Sequence, residues 1–157
     1  MSRSLGTALP EDLRQALSQA DLTARLGRVI PLVTVDGRGH PHPMLCTYVE
    51  TLAASAETLI IVIGAGSGTA RNLEARAVAT LLIVEPDRTV YVKCRAAGAP
   101  LVDSGLARFT LRVEDVLEDS ALEWEGAARI TSGIVYAPVP ALDTPEVKAT
   151  LELLRRT

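Results

Sequence analysis

Residues 29–48 read VIPLVTVDGRGHPHPMLCTY, and this stretch decides the fold class. Its first seven residues are apolar or β-branched, Asp36-Gly37-Arg38-Gly39 has the composition of a tight turn, and residues 40–48 resume an extended pattern. Each of its three prolines removes a donor from a strand, so these prolines should face edges or gaps of the sheet. We therefore predict an antiparallel hairpin in a sheet that is not regularly closed.

The rest of the chain adds further short strands and few helices. An apolar strand at residues 59–63 runs into Gly64-Ala65-Gly66-Ser67, and a helix follows from residue 67 to about 76. Apolar or alternating patterns predict four more strands, at residues 77–84, 89–95, 107–116 and 129–136. These short strands, joined mainly as antiparallel hairpins, favour a closed or partly closed barrel, mainly β with flanking helices.

The chain of 157 residues has the length of one domain. We predict a single domain over residues 1–157, with leading helices at about 9–27, a barrel at about 28–137 and a C-terminal helix at about 144–157. Hydrophobic residues make up 48% and charged residues 22%, which is typical of a globular chain. Aromatic residues make up only 3%, so a flat ligand would find few rings to stack on.

Charge and hydropathy argue against several classes of partner. The net charge is −3 and no Lys/Arg cluster occurs, which argues against nucleic-acid binding. The apolar runs are shorter than the ~20 residues that span a bilayer, and the N-terminus does not resemble a secretory signal, so we expect no membrane segment and a cytoplasmic protein. Cys46 and Cys94 lack metal-ligand spacing and are predicted to be buried free thiols, with no metal site.

Three stretches, taken in this order, carry a resemblance to a known family: the hairpin at residues 32–43, the strand and helix at residues 60–73, and the strand at residues 78–84. Val33-Thr34-Val35, Gly37-Arg38-Gly39 and His42-Pro43 resemble the first strand, turn and return strand of the pyridoxamine 5′-phosphate oxidase-like, FMN-binding split-barrel family. The segment Gly66-Ser67-Gly68-Thr69-Ala70-Arg71-Asn72-Leu73 resembles the family's glycine turn and helix start. The resemblance covers about residues 10–97 and implies an antiparallel split β-barrel of Greek-key type.

The resemblance also implies a cofactor and an assembly. It implies a homodimer that holds FMN at the subunit interface, and an oxidoreductase acting on a small molecule. The cofactor-binding residues would be Ser67, Thr69 and Arg71 on the phosphate and, along the ring, Val33, Thr34, Val35, Met44, Leu45, Cys46 and Thr47. Thr69 stands where the family usually has a basic residue, so Arg71 would have to turn back to supply the charge.

Several alternatives remain at this stage. One alternative is a non-catalytic split-barrel dimer, a sensor or interaction module that has lost flavin, and another is a relative that uses a deazaflavin or haem. His40 and His42 form either a small relay or ligand pair or ordinary strand residues, and a metal would need a third ligand. Trp124 is expected to be a packing anchor or to cover a cofactor.

Overall fold

The computed structural model describes residues 2–121 and 128–157. The strands are β1 Ser2–Gly6, β2 Val29–Val35, β3 Pro41–Thr47, β4 Thr51–Ala53, β5 Thr58–Gly64, β6 Val78–Glu85, β7 Arg88–Ala96, β8 Leu101–Asp103 and β9 Leu106–Ser120. The helices are α1 Glu11–Ala16, α2 Gly68–Arg76 and α3 Pro145–Arg155, with a 3-10 turn at Thr23–Arg25.

The strands form one curled antiparallel sheet. Its main order is β3-β2-β6-β7-β9-β5-β4, and the pairings along it are antiparallel. The two end strands, β3 and β4, follow each other in the chain and are separated only by residues 48–50. A sheet whose ends are joined so tightly must curl on itself, and the predicted mainly antiparallel split barrel is confirmed.

The long strand β9 organises the sheet. One of its edges pairs with β7 and β8, and the other pairs first with β5 and then with β1. The register against β7 shifts between Lys93 and Cys94, so that Lys93 faces Asp115 while Cys94 faces Val113. The intervening Glu114 forms a bulge, which bends β9 and increases its local twist.

Aliphatic side chains fill the inside of the curl. Phe109 is the large aromatic residue among the fully buried ones, and the others are leucine and isoleucine. Leu9, Leu13 and Leu17, from α1 and its flanks, are also buried, and backbone bonds from Leu9 N to Ala56 O and from Ala53 N to Leu17 O hold this segment to the sheet. The leading segment therefore forms part of the core.

The predicted leading helices are shorter than expected. The helix α1 covers only residues 11–16, because Gln19 adopts a left-handed φ of 66° that breaks the helical path. Only the 3-10 turn follows, and Gly27 ends this segment at φ 80°. The helix predicted from about residue 144 is present as α3, with the Thr144 side chain as its cap and Pro145 in the first turn.

The strand predicted at residues 129–136 is wrong. This segment makes an isolated bridge between Val135 and Arg28, with backbone bonds from Val29 N to Ile134 O and from Tyr136 N to Gly27 O. One edge of β2 is paired with β3 along its whole length, and from Leu32 the other edge pairs with β6, so only a short edge remains for this segment. Trp124 lies outside the described residues, and its role stays a prediction.

Candidate functional site

The glycine turn before α2 presents free backbone donors. Ser67 caps the helix, since its Oγ accepts from Ala70 N at 3.1 Å. The amides of the first helical turn have no acceptor within the helix, and the cap satisfies only one of them, so those of Gly68 and Thr69 are left for other partners. With the positive end of the helix dipole, this geometry favours an anion.

Two basic side chains converge on this helix end. The guanidinium of Arg71 turns back, and its Nη1 donates to Gly66 O at 2.8 Å. A Cβ added to Gly68 would lie 3.2 Å from His42 Nε2 and 3.9 Å from Arg71 Nη2. Because Gly68 has no side chain, the His42 ring and the Arg71 guanidinium can both lie close to it. Both groups face the same point in front of α2.

A hydrogen-bonded chain links this helix to the first hairpin. Asn72 Nδ2 donates to Thr34 Oγ1 at 3.0 Å, and Thr34 Oγ1 donates to the His42 carbonyl at 3.4 Å. At its other end α2 is held by Arg76 Nη2, which donates to Gly37 O at 3.3 Å. The helix that presents the anion-binding amides is thus fixed against the strands β2 and β3.

The turn between β2 and β3 carries the carboxylate of Asp36, close to His40 and His42. Asp36 accepts from the backbone N–H groups of Arg38 and His40, at 2.8 and 2.9 Å. The His40 N–H, followed by the Arg38 N–H and the charges of His40 and His42, lowers the pKa of Asp36. Asp36 is therefore a fixed anion of the turn, and His40 Nδ1 lies 3.9 Å from it.

The predicted site residues point in two directions. Thr34 and Cys46 are buried in the core, Met44 packs against it, and Thr69 is 2% exposed. Burial raises the pKa of the Cys46 thiol well above its ordinary value, so this cysteine is an inert core residue. The side chains of these residues therefore present little surface to a ligand, whereas the backbone of their strands can still do so.

The other predicted residues of the hairpin lie on the outer face. Val33 and Val35 line a depression of about 280 Å³ together with Thr80 and Lys93. Leu45 and Thr47 line a second depression of about 320 Å³ that continues to α3. A ring laid along this hairpin would therefore lie on the outer face of the sheet, away from the barrel core.

Comparison with known proteins shows that this chain is similar in structure to several solved proteins. No protein-family model and no curated protein matches the sequence. A candidate pyridoxamine 5′-phosphate oxidase from Lactobacillus delbrueckii superimposes with a TM-score of 0.56 and 15% identity, covering 73% of this chain and 98% of its own. The chain has the flavin-binding split-barrel fold.

Two other split barrels widen the range of ligands in this fold. An FMN-binding protein from Syntrophomonas wolfei gives a TM-score of 0.53 at 14% identity, covering 71% of this chain and 92% of its own. A haem storage protein from Vibrio cholerae gives 0.51 at 14% identity, covering 75% and 99%. Relatives this distant share the fold of this split barrel, and the ligand has to be argued from its own residues.

Two features of the site were not predicted. The sequence gives no sign that His42 lies over Gly68, because the contact joins residues of β3 and α2 through the fold. The second is Glu50, in the turn after β3, whose Oε2 accepts from Thr47 N at 2.7 Å and from Thr47 Oγ1 at 3.0 Å. A carboxylate in the turn three residues after a strand is common in proteins, so no sequence motif marked Glu50 as a candidate site residue.

The described residues also limit other kinds of site. Within residues 2–121 and 128–157, no three His, Cys, Asp or Glu side chains come together to hold a metal ion. In the same residues no helix has the length and apolar character needed to cross a membrane.

Proposed function

We propose that this protein binds FMN, with the phosphate at the start of α2 and the ring along the outer face of β2 and β3. The observation that carries the proposal is the convergence of Arg71 and His42 on the free amides of Gly68 and Thr69. A dianion in front of a helix start gains from the dipole and from the free N–H groups, and Arg71 offers a guanidinium that can bind phosphate in a forked manner.

The residues present fit the phosphate group in a way that departs from the family pattern. Thr69 is buried where the family has a basic side chain, so its backbone amide takes part and its hydroxyl contributes less. In the described part of the chain Arg71 pairs with no carboxylate, and its one bond is to the Gly66 carbonyl. Arg71 therefore supplies the missing cation, and the His42 ring nitrogen lies beside it.

FMN would supply hydride and electron transfer, and the chain would supply binding, orientation and exclusion of water. We accordingly infer an oxidoreductase that acts on a small molecule. Anaerobic addition of a nicotinamide donor to the FMN-loaded protein should bleach the flavin absorbance. A bound flavin that no nicotinamide or chemical reductant can reduce would contradict the oxidoreductase proposal and favour a sensor.

The test of FMN binding separates the phosphate from the ring. The purified protein is titrated with FMN and with riboflavin, which lacks the phosphate, and binding is followed by flavin fluorescence. Arg71→Gln should weaken FMN by about tenfold, the loss of one charged hydrogen bond, and leave riboflavin unchanged. Arg156→Gln, which removes the same charge just after α3, where Arg156 pairs with Asp103, should change neither ligand.

Other outcomes would overturn the proposal. If wild-type protein ignores FMN, or if Arg71→Gln weakens both flavins equally, the phosphate site is wrong. Saturable haem binding in place of FMN would assign the cleft to a haem, as in the split barrel from Vibrio cholerae. Failure of every ligand would favour the non-catalytic dimer.

We also propose a homodimer. Leu45, Val135, Tyr136 and Val139 are each at least 40% exposed. They form a contiguous apolar patch, since Tyr136 lines a depression with Leu45, and Val135 and Val139 both approach Gly27 beside the Tyr136 carbonyl. Such a patch marks an interaction surface, and a second copy would cover it next to the proposed ring site. Sedimentation at micromolar concentration should give a dimer, and a monomer would refute it.

A further inference from the structure

The second depression of the outer face has an acidic floor and apolar walls. It measures about 320 Å³ and is formed by the end of β3, the segment at 136–140 and α3. Its apolar lining consists of Leu45, Val49, Tyr136, Pro140 and Val147, and its polar lining of Thr47, Glu50, Glu146 and Thr150. Two carboxylates and no basic side chain therefore stand among its described lining residues.

Glu50 has one oxygen engaged and one available. Its Oε2 accepts both bonds from Thr47, whereas its Oε1 accepts from no group in the described residues. Among those residues, Arg108 Nε is the fully buried side-chain nitrogen or oxygen without a hydrogen-bond partner. Glu50 Oε1 also has no partner, so it is not fully buried, and Glu50 lines the depression. The turn needs only Oε2, and Oε1 remains for a ligand.

The charge of Glu50 is poorly compensated by the protein. Burial raises the pKa of this carboxyl, although the two bonds from Thr47 oppose the shift. In the described residues neither Glu50 nor Glu146 forms an ion pair. A positively charged donor placed at Oε1 would supply the missing compensation at a partly desolvated position, where a charged hydrogen bond is stronger than at an exposed one.

We propose that this depression binds a small primary ammonium ion with an apolar body, with the ammonium on Glu50 Oε1 and the apolar part between Leu45, Tyr136 and Val147. The volume lies at the lower end of the range for small-molecule sites, which fits a single-ring or short aliphatic amine. Glu146, at the start of α3, adds negative potential at the rim. The depression shares Leu45 and Thr47 with the proposed ring contacts, and Leu45 and Tyr136 with the proposed dimer patch. The inference therefore adjoins the proposed function, and it is tested on flavin-free protein so that its failure leaves the FMN titration untouched.

The experiment compares two ligands of the same shape. Benzylammonium and benzyl alcohol are titrated into flavin-free protein, and binding is followed by calorimetry and by the carboxyl carbon shift of Glu50 in ¹³C-labelled protein. Wild-type protein should bind the ammonium at least about tenfold more tightly than the alcohol, the difference of one charged hydrogen bond. Equal binding of the two ligands, or no binding of either, would overturn the proposal without any variant being made.

Glu50→Gln separates the structural role of this residue from ligand binding. The amide oxygen of glutamine can accept both bonds from Thr47, so the turn is kept while the free carboxylate oxygen becomes an NH₂ group. The variant should lose the roughly tenfold preference for the ammonium, and Glu146→Gln, on the exposed rim, should reduce it by about twofold.

Three results would contradict this assignment. A Glu50→Gln variant that is folded by circular dichroism and keeps the full preference would show that Glu50 is not the partner. If that variant fails to fold, wild-type protein gives the answer. A Glu50 carboxyl carbon shift that does not change when benzylammonium is added would also show that Glu50 is not the partner. Competition by millimolar Ca²⁺ that abolishes ammonium binding would assign the carboxylates to a metal.

Discussion

Asn72 joins α2 to the strand β2, and its removal should lower the stability of the protein. The bond from Asn72 Nδ2 to Thr34 Oγ1 lies at a buried position of β2. Asn72→Ala should lower the free energy of unfolding by about 1–2 kcal/mol, because the partly buried hydroxyl of Thr34 loses a donor. Urea unfolding measures this, with the exposed Glu74→Ala as the control; equal losses in both variants would contradict the role of the bond.

Glu50 should leave a pH signature in stability. Burial raises the pKa of its carboxyl in the folded chain, whereas the unfolded chain ionises at the ordinary value. Between these two values the folded state holds a proton that the unfolded state has released, so stability falls as the pH rises. The free energy of unfolding of wild type minus that of Glu50→Gln should therefore decrease as the pH rises above the ordinary carboxyl pKa of 4.5, and level off once the pH exceeds the raised pKa of the folded state.

Denaturant unfolding of both proteins over this pH range checks the sign. Subtracting the variant removes the contributions of the other carboxyls, such as Asp36, whose pKa is lowered and whose effect runs in the opposite direction. A difference that rises with pH, or that stays flat, would show that the carboxyl of Glu50 is well compensated in the folded protein.

At the scale of secondary-structure elements, Arg88 at the start of β7 ties the N-terminal segment to the sheet. Its guanidinium pairs with Asp12 of α1 and, at 3.2 Å, with Glu118 of β9, and Glu118 also accepts from Arg3 of β1 at 2.8 Å. Arg88→Gln should cost about 1 kcal/mol, since these groups are partly exposed. Its larger effect should be faster amide exchange in α1 and β1.

Hydrogen exchange followed by mass spectrometry distinguishes this local loosening from a general one. The peptides that cover β4 and β5 should keep their protection, because the ladders of these strands do not involve Arg88. Arg112→Gln, which removes an exposed arginine of the neighbouring strand β9, serves as the control. Uniformly faster exchange along the chain would show that Arg88 stabilises the whole fold and not one segment.

The elements also show what sequence can and cannot predict. The first hairpin and α2 follow from local signals, namely the Asp36 turn and the Ser67 cap, and both are present. The three-residue strands β4 and β8 are too short to carry a period, and β1 is polar, so their pairing depends on edges that other strands leave open. The position of His42 over Gly68 depends likewise on tertiary packing.

At the scale of the whole molecule, the apolar patch of Leu45, Val135, Tyr136 and Val139 should control assembly. Val139 is 54% exposed, so a charge there is solvated in a monomer and desolvated in a dimer. Val139→Glu should weaken self-association by about tenfold or more and leave the melting temperature of the monomer nearly unchanged. Val102→Glu, on an exposed apolar residue of β8, is the matched control, and sedimentation should show it as dimeric as wild type.

The position of β9 in the sheet has a consequence for synthesis on the ribosome. When the first hundred or so residues have emerged, β5 has only β4 beside it and β7 has only β6, because both wait for residues 106–120. The nascent chain thus carries two open strand edges until a late segment arrives between them, and such edges are prone to pairing with other chains. The residues proposed to bind FMN emerge early, but their site would not form early, because co-translational folding has to wait for β9, which follows all of them in the chain.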